Sequence, residues 1–132
     1  MTGPEDLWRA ALEARAKAYA PFSGFAVGCA VRTESGRVFV GANMENQSFP
    51  EGWCAETTAL GHMVMAAATE ADRIVAEVVV AAELDPPVTP CGGCRQRLAE
   101  FGRPDTMVHA ADLTAIRASW TLAELLPAAF RL

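Results

Sequence analysis

Two short segments hold most of the chemistry in this sequence: Cys54-Ala55-Glu56 and Pro90-Cys91-Gly92-Gly93-Cys94. Cys91 and Cys94 stand three apart at a predicted helix start, so both thiols project to one side of its first turn. Cys54 also opens a predicted helix. Helix N-termini present unpaired N–H groups and the positive end of a dipole, which stabilise thiolates. Three thiolates gathered at two such ends would make a tetrahedral zinc site with one position open to water. That ligand count describes catalytic zinc, whereas structural zinc normally takes four protein ligands. Glu56 lies two residues beyond a ligand, where a carboxylate can take a proton from water and pass it to a departing amine without binding the metal.

Other uses of these residues stay open from spacing alone. A lone Cys-x-x-Cys is also a redox pair or half of a zinc finger. A structural four-cysteine site would recruit Cys29, but Cys29 falls in mid-strand among apolar neighbours, which favours a buried free thiol. A zinc-stabilised binding module would need that fourth ligand and would have no use for Glu56. His62 lies eight residues after Cys54, about 12 Å along a helix, too far to share its metal. His62 and His109 therefore read as structural.

The elements that position these residues follow from the pattern. Thr2, Gly3, Pro4 and Glu5 predict a helix start with a hydroxyl cap and an early proline. Apolar residues from Leu7 to Tyr19 continue it at helical spacing until Pro21. Residues 25–43 predict a hairpin: Phe25, Val27, Cys29 and Val31 alternate, Glu34 to Arg37 supply turn chemistry, and Val38-Phe39-Val40 returns. Cys54 to about Ala71 predicts a helix with little polar surface, which is normally buried. Ile74 to Ala82 is a Val-rich run suited to a central strand covered on both faces. Pro90 opens a helix from Cys91 to about Phe101, Met107 to Ala110 and Ala115 to Arg117 predict short strands, and Thr121 with Glu124 forms a capping box for a last turn ending at Pro127. A hairpin followed by alternating strands and helices predicts a single α/β domain over residues 1–132.

Composition narrows the partners. The chain has 132 residues, 52% hydrophobic and 20% charged, with a formal net charge of −5. An acidic balance argues against a groove tracking nucleic-acid phosphates and favours small or weakly charged partners. The apolar runs are far shorter than the roughly 18 residues of a membrane span. Glu5 and Asp6 stand where a secretion signal would be basic, so the expected location is the cytoplasm, where four cysteines seldom pair as disulfides. Asn46-Gln47-Ser48 then matches a glycosylation sequon by chance.

Taken together, residues 18–130 resemble the short, homotetrameric type of cytidine deaminase. The resemblance rests on Tyr19 to Gly28, Gly41 to Asn46, Cys54-Ala55-Glu56, Pro90 to Gln96 and Glu124 to Pro127, in that order. It implies a three-layer α/β/α fold around a mixed sheet of about five strands. It also implies zinc on Cys54, Cys91 and Cys94, proton transfer by Glu56, and hydrolysis of cytidine and 2′-deoxycytidine. Phe25 would pack beside the pyrimidine, and Asn43 with Glu45 would hydrogen-bond the ribose. The Ala55 N–H would hold the base carbonyl, and the Thr89 carbonyl would face the departing amine. Phe130 would reach across a subunit boundary, and Phe49 stands where an intersubunit tyrosine is usual. By period alone Phe25 is equally a core residue, Asn43 a strand end and Glu45 a solvated acid.

Phe22 replaces a usual tyrosine and Gln47 a usual alanine. Thr57 is the clearest departure, because the family normally places there an arginine that offsets the three thiolates. Blasticidin S deaminases also lack that arginine and are the rival reading, but they do not share Asn43 and Glu45. Without a charge at Thr57, Arg95, next to Cys94, is expected to turn its guanidinium to the sulfurs; pairing with an acid at the subunit surface is its alternative.

Overall fold

The computed structural model describes residues 3–132. Its elements, in chain order, are α1 (Pro4–Arg15), β1 (Val27–Thr33), β2 (Val38–Ala42), α2 (Ala55–Ala66), β3 (Val75–Ala82), α3 (Gly92–Phe101), β4 (Gly102–Ala111), β5 (Ile116–Thr121) and α4 (Leu122–Leu125). The five strands form one mixed sheet in the order β2-β1-β3-β4-β5, with β3 and β4 parallel and the other pairs antiparallel. Helix α1 covers one face through Leu7 and Ala11, which meet Ala30, Val79 and Ala81. Helices α2, α3 and α4 cover the other through Ala59, Met63, Leu98 and Leu122, which meet Cys29, Val31, Val78 and Val80. The alternation of β1 and β3 residues between these two clusters makes three layers.

Close approach of helix to sheet depends on two glycines. A Cβ on Gly28 would lie 1.9 Å from the Ala11 carbonyl oxygen of α1. On the opposite face, a Cβ on Gly41 would lie 2.4 Å from the Ala59 nitrogen and 2.5 Å from the Ala55 oxygen of α2. The helix that carries Glu56 therefore rests directly on β2 backbone.

Several boundaries differ from the sequence expectation, each for a local reason. The cap of α1 is Gly3, with no side-chain cap bond, and Thr2 lies outside the described residues. Helix α1 stops at Arg15 rather than near Tyr19, because Tyr19 joins the sheet edge: its N–H donates to the Asn43 carbonyl and its carbonyl accepts from Glu45 N–H. Helix α2 stops at Ala66 because the Asp72 carboxylate accepts from the N–H groups of Ala68 and Thr69 and opens a 3-10 turn at Glu70–Arg73. Strand β4 begins five residues earlier than expected, directly at the end of α3. The Thr121–Glu124 capping box opens α4 as the sequence indicated.

Candidate active site

Helices α2 and α3 both begin at one end of the sheet, and their first residues bring three thiols together. Cys54 is the N-cap of α2, Cys91 is the N-cap of α3, and Cys94 lies buried in the first turn of α3. Their sulfurs all lie within 4.8 Å of one another, and Cys54 Sγ is 4.0 Å from Cys91 Sγ. A zinc ion with tetrahedral bonds of about 2.3 Å requires sulfurs about 3.8 Å apart. The three thiols fit that geometry after small side-chain rotations. Among the described residues no fourth metal-binding side chain joins the group. Cys29 is fully buried between β1 and α2, and burial pushes its thiol well above the usual range.

The thiols and the carboxylate influence one another. The Cys54 thiol is drawn down to about 6, chiefly by a hydrogen bond from the Cys94 thiol and with help from Cys91 and the Arg97 charge, against its burial. Donating that bond holds the Cys94 thiol protonated, and burial adds to the effect. Glu56, in the first turn of α2, is 4% exposed. Burial pushes its carboxyl up to about 7, the negative charge of Cys54 adds to the rise, and its own backbone N–H opposes it. A carboxyl in that range can both accept and release a proton near neutral pH. Ala55, beside it, is 1% exposed, and no side chain caps α2, so the N–H groups of that first turn face the site without a capping competitor.

Asn43 is committed to backbone: its Oδ1 accepts from Val27 N–H at 2.9 Å and its Nδ2 donates to the Phe25 carbonyl at 2.8 Å. Glu45 accepts from the N–H groups of Phe22 and Ser23, at 2.9 and 3.1 Å, and from the Ser23 hydroxyl. The Ser23 bond above all lowers the Glu45 carboxyl. Both residues thus hold the segment that carries Phe25, a role their spacing did not reveal. Glu45 also lines a cavity of about 260 Å³ with Phe22, Ser23 and Phe49, and the rings of Phe22 and Phe49 meet edge to face at 5.7 Å. Phe130 is 69% exposed, and its carbonyl accepts from the Gln96 side chain of α3 at 3.4 Å. His62 bonds the Val40 carbonyl, and His109 joins Ser119 and Glu77, so neither approaches the thiols.

Arg95 does not turn to the sulfurs. Its Nε donates to the Pro90 carbonyl at 2.8 Å, its Nη1 to the Leu125 carbonyl at 2.9 Å, and its Nη2 to Thr89 Oγ1 at 3.3 Å. The side chain leaves the helix on the side of α4 and ties that element to the turn preceding Cys91. Arg97 occupies the other side, with Nη1 3.9 Å from Cys94 Sγ. Thr57 Oγ1 lies at the same distance from that sulfur. Helical spacing alone offered the signal, since Arg97 is three residues after Cys94.

Three thiols and a buried glutamate thus meet where α2 and α3 begin. Residues 1–110 match the family described as the cytidine and deoxycytidylate deaminase zinc-binding region. The chain belongs to the cytidine and deoxycytidylate deaminase family. A cytidine deaminase from Halalkalibacterium halodurans is 43% identical over 124 residues, covering 94% of this chain and 91% of the relative. A crystal structure of cytidine deaminase from Burkholderia pseudomallei superposes with a TM-score of 0.88 at 40% identity, covering 97% of this chain and 99% of the other. That from Mycobacterium tuberculosis gives 0.81 at 30% identity, with both chains fully covered. The family is zinc-binding, and the thiols of Cys54, Cys91 and Cys94 are the group in this chain that could hold the ion.

Proposed function

We propose that this protein hydrolyses cytidine and 2′-deoxycytidine to uridine and 2′-deoxyuridine, releasing ammonia. The observation that carries the reading is the buried Glu56 carboxyl beside three convergent thiols. Zinc held by Cys54, Cys91 and Cys94 would supply the Lewis acidity that makes water a nucleophile near neutral pH. Glu56 would take the proton from water, deliver it to the ring nitrogen, and then carry a second proton to the leaving amine. Water adds at the carbon bearing the amine, the carbon–nitrogen bond breaks, and the ring keeps the oxygen as a carbonyl. The Ala55 N–H would hold the base carbonyl and the Thr89 carbonyl would accept from the departing amine. Phe25 would face the pyrimidine, and the remaining donor of Asn43 and lone pairs of Glu45 would meet the ribose.

The assembly proposed is a homotetramer in the cytoplasm, acting in pyrimidine salvage. Large exposed apolar side chains support it: Phe49 is 73% and Met65 86% exposed, and Val64 and Trp53 also face outward. In this assembly Phe130 would cover a neighbouring subunit's site and Phe49 would lie near a boundary. Ultraviolet-monitored turnover of cytidine, deoxycytidine, cytosine, cytidine monophosphate and blasticidin S tests the reading. Turnover confined to the two nucleosides is expected, and preferential turnover of blasticidin S would overturn it.

A further inference from the structure

Zinc with three thiolates carries a net charge of −1, and excess negative charge weakens a metal as a Lewis acid. Some cation must offset it. The neutral Thr57 stands 3.9 Å from Cys94 Sγ and can contribute only a hydroxyl hydrogen bond. Arg95 is spent on the carbonyls of Pro90 and Leu125 and on Thr89. Among the described residues, the hydrogen bonds bring one guanidinium to a sulfur of the cluster, that of Arg97.

We propose that Arg97 is the positioning residue that compensates the thiolate charge of this metal centre, acting through Cys94. Three independent features of the fold place it there. Arg97 follows Cys94 by three residues on α3, so its side chain lies over the same helix face. Gly93, one turn before Arg97, leaves the space the guanidinium uses: a Cβ there would lie 3.2 Å from Arg97 Nη1. Thr57 on α2 and Arg97 on α3 both line a single groove between those helices, so the small residue at 57 and the long cation at 97 share one volume. A long cationic side chain at 57 would compete for it.

The proposal rests on the zinc deaminase reading and is tested on the zinc-loaded protein. Arg97→Gln, Arg97→Lys and the double variant Thr57→Arg with Arg97→Gln are compared with the parent. Zinc loss to excess chelator is followed with a chromogenic indicator, alongside kcat and KM for cytidine and the thermal midpoint. Groups supporting a metal ligand typically alter affinity or activity by about 10–100-fold. Arg97→Gln is expected to lose zinc at least about tenfold faster and to lower kcat, with KM near the parent value and the midpoint lowered only as far as the weaker zinc binding requires. Arg97→Lys, or the charge moved to position 57, should restore most of the retention. Zinc loss by Arg97→Gln no faster than the parent would overturn the proposal. So would a loss that neither cationic variant restores, which would mean that packing rather than charge is at work. A parent chain that takes up no zinc would instead overturn the reading of the site itself.

Discussion

Arg95→Gln removes a half-buried guanidinium that makes three hydrogen bonds, to the Pro90 carbonyl, the Leu125 carbonyl and Thr89 Oγ1, at 2.8, 2.9 and 3.3 Å. Hydrogen bonds to a charged group contribute about 1.5–3 kcal/mol each. The longest of the three counts least, and glutamine retains the reach for one carbonyl. The net loss is then about 2–3 kcal/mol. For a domain between the small and medium size classes, a loss of that size lowers the thermal midpoint by roughly 6–15 °C. The carbonyl released at Pro90 adjoins Cys91, so the turn that sets this thiol against Cys54 loosens as well. Differential scanning fluorimetry with excess zinc gives the midpoint, and bound zinc per chain gives the second effect. Both should fall. A midpoint within 2 °C of the parent would refute the assignment of Arg95 to the α3–α4 tie, and it would reopen its role at the sulfurs.

Three further outcomes are expected. Gly41→Ala should displace α2, since its Cβ would meet helix backbone at 2.4 and 2.5 Å; overpacking of this kind costs about 1–3 kcal/mol, and turnover should fall with zinc content, whereas parent-like activity would contradict the close contact. Hydrogen bonds, first from Ser35 and then from Ala68 N–H, hold the Asp72 carboxyl well below the usual carboxylate range. Its stabilisation is therefore present above the unfolded carboxyl range, near pH 4, and lost as pH falls through the lower folded value. The midpoint of Asp72→Asn should accordingly decline less steeply than the parent's between pH 5 and pH 2, and equal slopes would refute this. Thr121→Ala removes the side chain that accepts from Glu124 N–H at α4, with an expected loss of about 1 kcal/mol in urea unfolding; no change would refute a stabilising role for this cap.

The local patterns in the sequence sufficed for the hairpin, the central Val-rich strand and the two helix starts, because alternation and caps act within a few residues of each other. The three convergent thiols were equally accessible, since each lies at a helix start that its own neighbours define. What lay beyond the sequence depends on contacts between distant segments. Asn43 binds Phe25 and Val27, and Glu45 binds Phe22 and Ser23, only because β1 and β2 pair and bring those stretches side by side. The direction of Arg95 was likewise undetermined, since its partner Leu125 is 30 residues away on α4. Adjacency to Cys94 favoured Arg95, whereas the helical turn favours Arg97, and the turn prevails. The early start of β4 was hidden because Gly102 to Thr106 carry no apolar alternation and include Pro104, yet the strand bulges there instead of ending.

The central claim is that Glu56 moves the protons of a hydrolytic deamination at a zinc site built from Cys54, Cys91 and Cys94. Glu56→Gln isolates it, because the amide keeps the size and buried position of the carboxyl but cannot carry a proton. The measurement is ammonia released from cytidine per bound zinc, in the parent and in this variant. The expected result is one zinc per chain in both, with turnover reduced about 10²–10⁴-fold in the variant, the usual contribution of a positioned proton carrier. A variant that holds its zinc and keeps more than about a tenth of the parent turnover would contradict the account.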